Sequence, residues 1–135
     1  MGSEFTFYDY IDANGVNVIR NWLNGDGKPA KMFFTTIIGQ LEASPPPGGK
    51  DSVWKHPYTW PMKGEWDGFF ELRKEASGVQ YRLLGQIRNR VVFLVAYGIH
   101  KDQYYNTDVT SQTARNRVNQ MEDNPAKYRR EHGYN

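Results

Sequence analysis

Residues 63–101 read KGEWDGFFELRKEASGVQYRLLGQIRNRVVFLVAYGIHK, and this stretch decides the fold. Phe69 to Lys74 alternates apolar with charged side chains, Ser77-Gly78 breaks the run, and Val79 to Leu84 alternates again. Arg88-Asn89-Arg90 supplies a second turn. Val91 to Tyr97 is then nearly all apolar and β-branched or aromatic, the composition of a strand covered on both faces. The spacing predicts a three-strand antiparallel meander. Side chains alternate faces along a strand, so Glu71 and Arg73 share one face while Phe70 and Leu72 share the other. On the next strand Gln80, Arg82 and Leu84 form one set. A turn at Ala76 to Gly78 brings Arg73 and Arg82 opposite or diagonal to each other. With Lys63 just before the meander and Lys101 just after its last strand, four cations converge on one face suited to a phosphate backbone.

Composition narrows the rest. A chain of 135 residues buries a full core as one domain. Aromatic residues make up 15%, enough for stacking or for a Tyr/Trp-rich core, and the net charge is only +2. A nucleic-acid partner therefore depends on where the cations cluster. There is no cysteine, which excludes disulfides, thiolate metal sites and a Cys nucleophile. No apolar run approaches a membrane span and no signal peptide is read at the N-terminus, so a cytoplasmic protein is the expectation. Met1-Gly2-Ser3-Glu4-Phe5 reads as a cloning scar, Gly-Ser and Glu-Phe being what two common restriction sites encode.

Working outward towards the N-terminus, Thr6 to Ile11 has strand composition. Val16, Ile19, Trp22 and Leu23 fall at helical spacing until Gly25-Asp26-Gly27 stops them. A second helix begins at Pro29, with Ala30, Phe33, Phe34, Ile37, Ile38 and Leu41 as its apolar stripe. The pair reads as an αα-hairpin packed on the sheet. Ser44 to Pro61 is a long Pro/Gly-rich connection in which Trp54, His56, Tyr58 and Trp60 alternate, with Lys50 and Lys55 nearby. These aromatics either stack on exposed bases or pin the loop to the body, and burial of large aromatics favours the second. Beyond the meander, Thr107 or Asp108 can cap a helix carrying Ala114, Val118 and Met121 to about Asp123. Residues 6–123 then form the domain and 124–135 a polar, basic tail.

Several motifs now stand in a telling order: Phe70-Glu71-Leu72-Arg73, then Gly78-Val79-Gln80-Tyr81-Arg82, then Ile99-His100-Lys101, then a helix with Ala114. Lys63-Gly64 before Trp66-Asp67-Gly68 opens the series. Together they resemble the phage-derived HigB-like branch of the RelE/ParE toxin superfamily over about Thr6 to Asp123. Asp102 occupies the second position of the family's Lys-Lys pair. The resemblance implies an α+β fold in the order β-α-α-β-β-β-α, a twisted antiparallel sheet packed by the αα-hairpin and a C-terminal helix.

The resemblance further implies a type II toxin, an endoribonuclease that cuts mRNA, commonly on the ribosome. A cognate antitoxin, of the helix-turn-helix type, would restrain it, and DNA would be met only through that complex. Such cleavage uses the RNA 2′-OH as nucleophile and requires stabilisation of the phosphorane charge and protonation of the 5′-oxygen, so no metal or other cofactor is expected. By motif, Arg73 and Arg82 would hold the phosphate, Lys101 would add charge, and Lys63 matches the lysine before the first meander strand. Tyr97, His100 and Tyr104 are the groups able to move protons or stack a base. Lys74, Arg88 and Arg90 complete the expected RNA contacts. Two alternatives remain: a ParE-like or inactive toxin that acts by binding a topoisomerase or antitoxin, and an unrelated small α+β binding module.

Overall fold

The structure, a computed structural model, describes residues 4–133. In chain order its elements are β1 (Thr6–Tyr10), α1 (Val18–Asn24), α2 (Lys28–Ala43), β2 (Trp60–Pro61), a 3₁₀ turn (Gly64–Trp66), β3 (Phe70–Ala76), β4 (Val79–Arg88), β5 (Val91–Lys101), β6 (Tyr104–Thr107), α3 (Ser111–Asp123), α4 (Pro125–Tyr128) and β7 (Arg129–Glu131). The strands form one seven-stranded sheet in the order β2-β3-β4-β5-β1-β7, with β6 also paired to β5. Mixed α+β architecture and the β3-β4-β5 meander match the expectation. The sheet is larger than expected and is not wholly antiparallel, because β1 runs parallel to the first half of β5.

Local chemistry sets the elements. Ser77 and Gly78 both take positive φ, +53° and +80°, as a two-residue hairpin turn requires. The Asn17 side chain caps α1 by accepting from the Arg20 N–H at 2.9 Å, and Pro29 stands in the first turn of α2. Helices α1 and α2 bury Ile19, Trp22, Phe34, Ile38 and Leu41 against Phe7, Leu72, Leu83, Val92 and Leu94 on one sheet face. On the other face α3 places Ala114, Val118 and Met121 over Leu84, Phe93 and Val95. Within 44–61, Trp54 is buried among Phe5, Phe7 and Phe70, with centroid distances of 4.9–5.9 Å. Ser44 and Ser52 accept from the backbone N–H groups of Val53 and Trp54. That half of the loop is pinned to the body.

Three expectations are corrected. Phe5, assigned to a cloning scar, is 2% exposed and packs in the core, while residues 1–3 of that scar lie outside the described residues. The polar tail from 124 is structured through α4 and β7, where Tyr8 to Tyr10 pair with Glu131 to Arg129. Asp9, itself buried, accepts from Asn17 Nδ2 at 3.0 Å and meets His132 Nδ1 at 2.6 Å. The last two of the chain, 134 and 135, lie outside the described residues. Helix α3 is capped by Thr110, not Thr107 or Asp108, because residues 104–107 belong to β6.

One irregularity organises the site described below. Leu84 pairs with Ala96 and Gly85 with Leu94, so Val95 is an extra residue in β5. This β-bulge reverses which side chains face α3 from Ala96 onward. It also coincides with a gap along the edge of β5, between the part paired to β1 and the part paired to β6. Arg117 fills the gap: its Nη1 donates to the Val95 carbonyl at 2.8 Å and to Asp108 Oδ2 at 2.9 Å, while Asp108 Oδ1 accepts from the Tyr97 N–H at 3.0 Å. Arg117→Ala leaves a largely buried carboxylate and a carbonyl without their donor. It is expected to cost about 3 kcal/mol, read as a lower urea midpoint at unchanged m-value. Among the described residues, no helix is long and apolar enough to cross a membrane.

Candidate functional site

Arg73 and Arg82 are direct cross-strand partners. Their side chains therefore share the face of the sheet that carries Glu71, Gln80 and Leu84. Helix α3 covers only the half of this face up to Leu84 and Ala96. Beyond it the face holds a polar cluster. Glu71, 2% exposed, uses one oxygen for both guanidinium groups: Oε1 accepts from Arg73 Nε at 2.7 Å and from Arg82 Nη1 at 2.8 Å. Its other oxygen accepts from the Tyr105 hydroxyl at 2.8 Å. Buried and bonded to both guanidinium groups, Glu71 holds the pair together.

The arginines differ in what they can reach. Arg82 is buried, and its Nη2 donates to Gln80 Oε1 at 2.8 Å and to His100 Nδ1 at 2.9 Å. The Tyr105 ring lies 4.4 Å from its guanidinium carbon, and Nε is buried without a hydrogen-bond partner among the described residues. Such an arrangement fixes a side chain at some cost to stability. Arg73 retains 32% of its side-chain exposure and lies 4.1 Å above the Trp60 ring. Arg73 is thus the guanidinium presented outward, and Arg82 the one that organises its neighbours.

His100 joins the cluster because of the bulge. It pairs with Gln80 and with Tyr105 across β4 and β6. A guanidinium only donates, so Nδ1 must accept from Arg82 and the ring proton sits on Nε2. The imidazole stacks on Tyr105 at 5.6 Å, 14° from parallel. Gly98 makes this possible, since a Cβ there would stand 2.7 Å from Tyr105 Cε1. Burial, and next the charge of Glu71, push the Tyr105 phenol well above its usual range. A phenol with a raised folded-state pKa contributes stability that is present below the unfolded value near 10 and is lost as pH rises beyond it. In an alkaline titration Tyr105 is expected to stay un-ionised past that value. Tyr105→Phe is expected to flatten the fall of stability with pH, as followed by urea midpoints.

Other expected site residues lie elsewhere. After the bulge, Tyr97 and Lys101 fall on the α1/α2 face, and Tyr97 stacks on Trp22 at 4.7 Å. Lys74 is on that face too, its Nζ 5.0 Å from the Phe33 centroid. Arg88 and Arg90 stand at the far end of β4, about 20 Å from Arg82 at the usual strand rise, paired with Glu122 and Glu4. Lys63 is exposed at the start of the 3₁₀ turn and Tyr104 is 68% exposed on β6, both outside the hydrogen-bonded cluster. The four cations therefore do not converge: two arginines do.

Comparison with known families, curated proteins and solved structures yields no match. Glu71, Gln80 and Tyr105 are members that sequence reading did not select, although Glu71 and Gln80 sit in the same alternating sets as the arginines. Among the described residues no group of three or more His, Asp or Glu is placed to hold a metal ion. A cleft of about 800 Å³ opens elsewhere, lined by Asp9, Glu42 and His132 among others. Its His132–Asp9 contact ties the segment after β7 to β1, and none of its lining residues belongs to the arginine cluster. What that cluster offers is a carboxylate-tethered guanidinium pair with one outward fork on Arg73, an imidazole Nε2–H on the side of Arg82 and aromatic rings on either side. Guanidinium forks match phosphate oxygens.

Proposed function

We propose that this chain is an endoribonuclease toxin with a RelE-like arrangement of its α+β fold, cutting mRNA without a metal and held in check by a cognate antitoxin. The observation that carries the reading is the register pairing of a partly exposed Arg73 with the buried Arg82, beyond the part of the sheet face that α3 covers, both bound to one oxygen of Glu71. In the reaction the 2′-oxygen attacks phosphorus and the bond to the 5′-oxygen breaks, leaving a 2′,3′-cyclic phosphate and a 5′-hydroxyl. Arg73 contacts the non-bridging oxygens, where charge grows. His100 donates from Nε2 to the same group, acting as a hydrogen-bond donor as its tautomer dictates. Since both oxygens of Glu71 are already engaged, the 2′-OH proton leaves to water and the leaving oxygen is protonated from water.

A second reading is favoured by that same occupancy: a protein of this fold that binds phosphate-bearing or protein partners without cutting. The two separate on induced expression in a tightly repressed host. The nuclease reading expects growth arrest, new transcript 5′-ends mapped by primer extension, and relief of both by Arg73→Ala or by the antitoxin. Arrest with intact transcripts, or with a DNA-damage response, would support the binding protein instead. Cytoplasmic location and action on the ribosome belong to the same proposal.

A further inference from the structure

We propose that the wall formed by His56 and Trp60 seats one unpaired nucleobase of single-stranded RNA beside the phosphate contacted by Arg73. This subsite rests on the nuclease reading above. Trp60 pairs with Glu71 in the sheet, and its ring lies under the Arg73 guanidinium at 4.1 Å. The His56 ring follows at 3.9 Å from Trp60, inclined by 30°, and is exposed. The guanidinium and the imidazole both lie against the indole, and the imidazole presents an exposed π surface to solvent.

The wall is rigid. Trp54 anchors the segment in the core, and the N–H groups of Tyr58 and Thr59 both donate to the Lys55 carbonyl, closing the turn that carries His56. Rigidity matters because a preformed stacking surface loses little entropy when a ligand docks. Lys55 is exposed next to His56 and adds a cation without sequence preference. At the opposite end of the site the Tyr105 ring is already stacked on Arg82 and His100, so the base seat is one-sided. A base in a duplex has both faces stacked on its neighbours and cannot lay one flat against this wall, which selects single strands. Every base has a π face, so the contact tolerates sequence.

The test uses fluorescence anisotropy with short 2′-O-methyl RNA strands, whose blocked 2′-oxygen prevents cleavage. His56→Ala is expected to weaken single-strand binding about tenfold. In the native protein an abasic nucleotide at one position reproduces that loss, and in His56→Ala the abasic strand loses nothing more. Unchanged affinity of His56→Ala would overturn the subsite. So would full additivity of the two losses, or equal affinity for a duplex. Unmodified RNA incubated with the same preparations reports separately on the chemistry. Base-dependent binding without cleavage removes the nuclease reading and leaves the seat; cleavage indifferent to His56→Ala removes the seat and leaves the nuclease.

Discussion

Arg73→Ala is expected to slow RNA cleavage by about 10²–10³-fold, the effect of losing one preorganised donor to a developing oxyanion, while the protein stays folded. The fold survives because the Arg73–Glu71 pair is about one-third exposed on the arginine side, and such pairs are worth roughly 1 kcal/mol or less. Glu71 also keeps its contact with Arg82, so no buried charge is orphaned. Arg73→Lys preserves the charge but not the fork, and it is expected to recover only part of the rate. Initial rates on an end-labelled transcript, set beside urea midpoints, make the comparison. Arg82→Ala is the less informative variant. It would strip a donor from Glu71, Gln80 and His100 together, mixing loss of structure with loss of chemistry.

Glu71→Ala is expected to have the largest effect on stability, a loss of about 3–5 kcal/mol. It leaves the buried Arg82 without its counter-charge and the Tyr105 hydroxyl without its acceptor. Glu71→Gln separates shape from charge. The amide oxygen still accepts from the arginines, and the Tyr105 hydroxyl can turn to accept from the amide N–H, so the cost in stability is smaller. Removing one negative charge raises the cluster's formal charge by one. Glu71→Gln is therefore expected to bind RNA more tightly at low salt, with the slope of log K against log salt steeper by about 0.7 for a single strand. Salt titration by anisotropy measures this. A slope that does not change would mean that the phosphate backbone does not pass over the cluster.

Most of the scaffold was legible because local signals and global packing agree. Alternation in 69–74 and 79–84 fixed the arginine face, and Arg73 proved to be opposite Arg82. The apolar stripe from Ala30 to Leu41 proved to be the α2 core face. What failed has specific causes. A strict alternation through 91–101 puts Tyr97 and Lys101 opposite Arg82 and sends His100 away. The single extra residue at Val95 inverts that assignment, and nothing in an all-apolar run announces a bulge. Strand β6 is four residues long and follows a turn at Asp102-Gln103, without the glycine that signals a hairpin. Arg117 sits off the apolar stripe of α3, and only the gap in the edge of β5 gives it a buried task. The aromatic loop divides between two surroundings, Trp54 buried in the core and Trp60 packed between neighbours that include Arg73 and His56.

The central claim is that Arg73, held in place through Glu71 and the buried Arg82, stabilises a phosphodiester under attack from its own 2′-oxygen. The most direct measurement is the chemistry of the cut ends produced by the purified protein from a defined RNA, native against Arg73→Ala. The claim predicts 2′,3′-cyclic phosphate and 5′-hydroxyl ends, no cut where the nucleotide 5′ to the scissile phosphate is 2′-deoxy, and near-complete loss of product in the variant. Ends bearing a 5′-phosphate and 3′-hydroxyl, cleavage that ignores the 2′-deoxy substitution, or an undiminished rate in Arg73→Ala would contradict it.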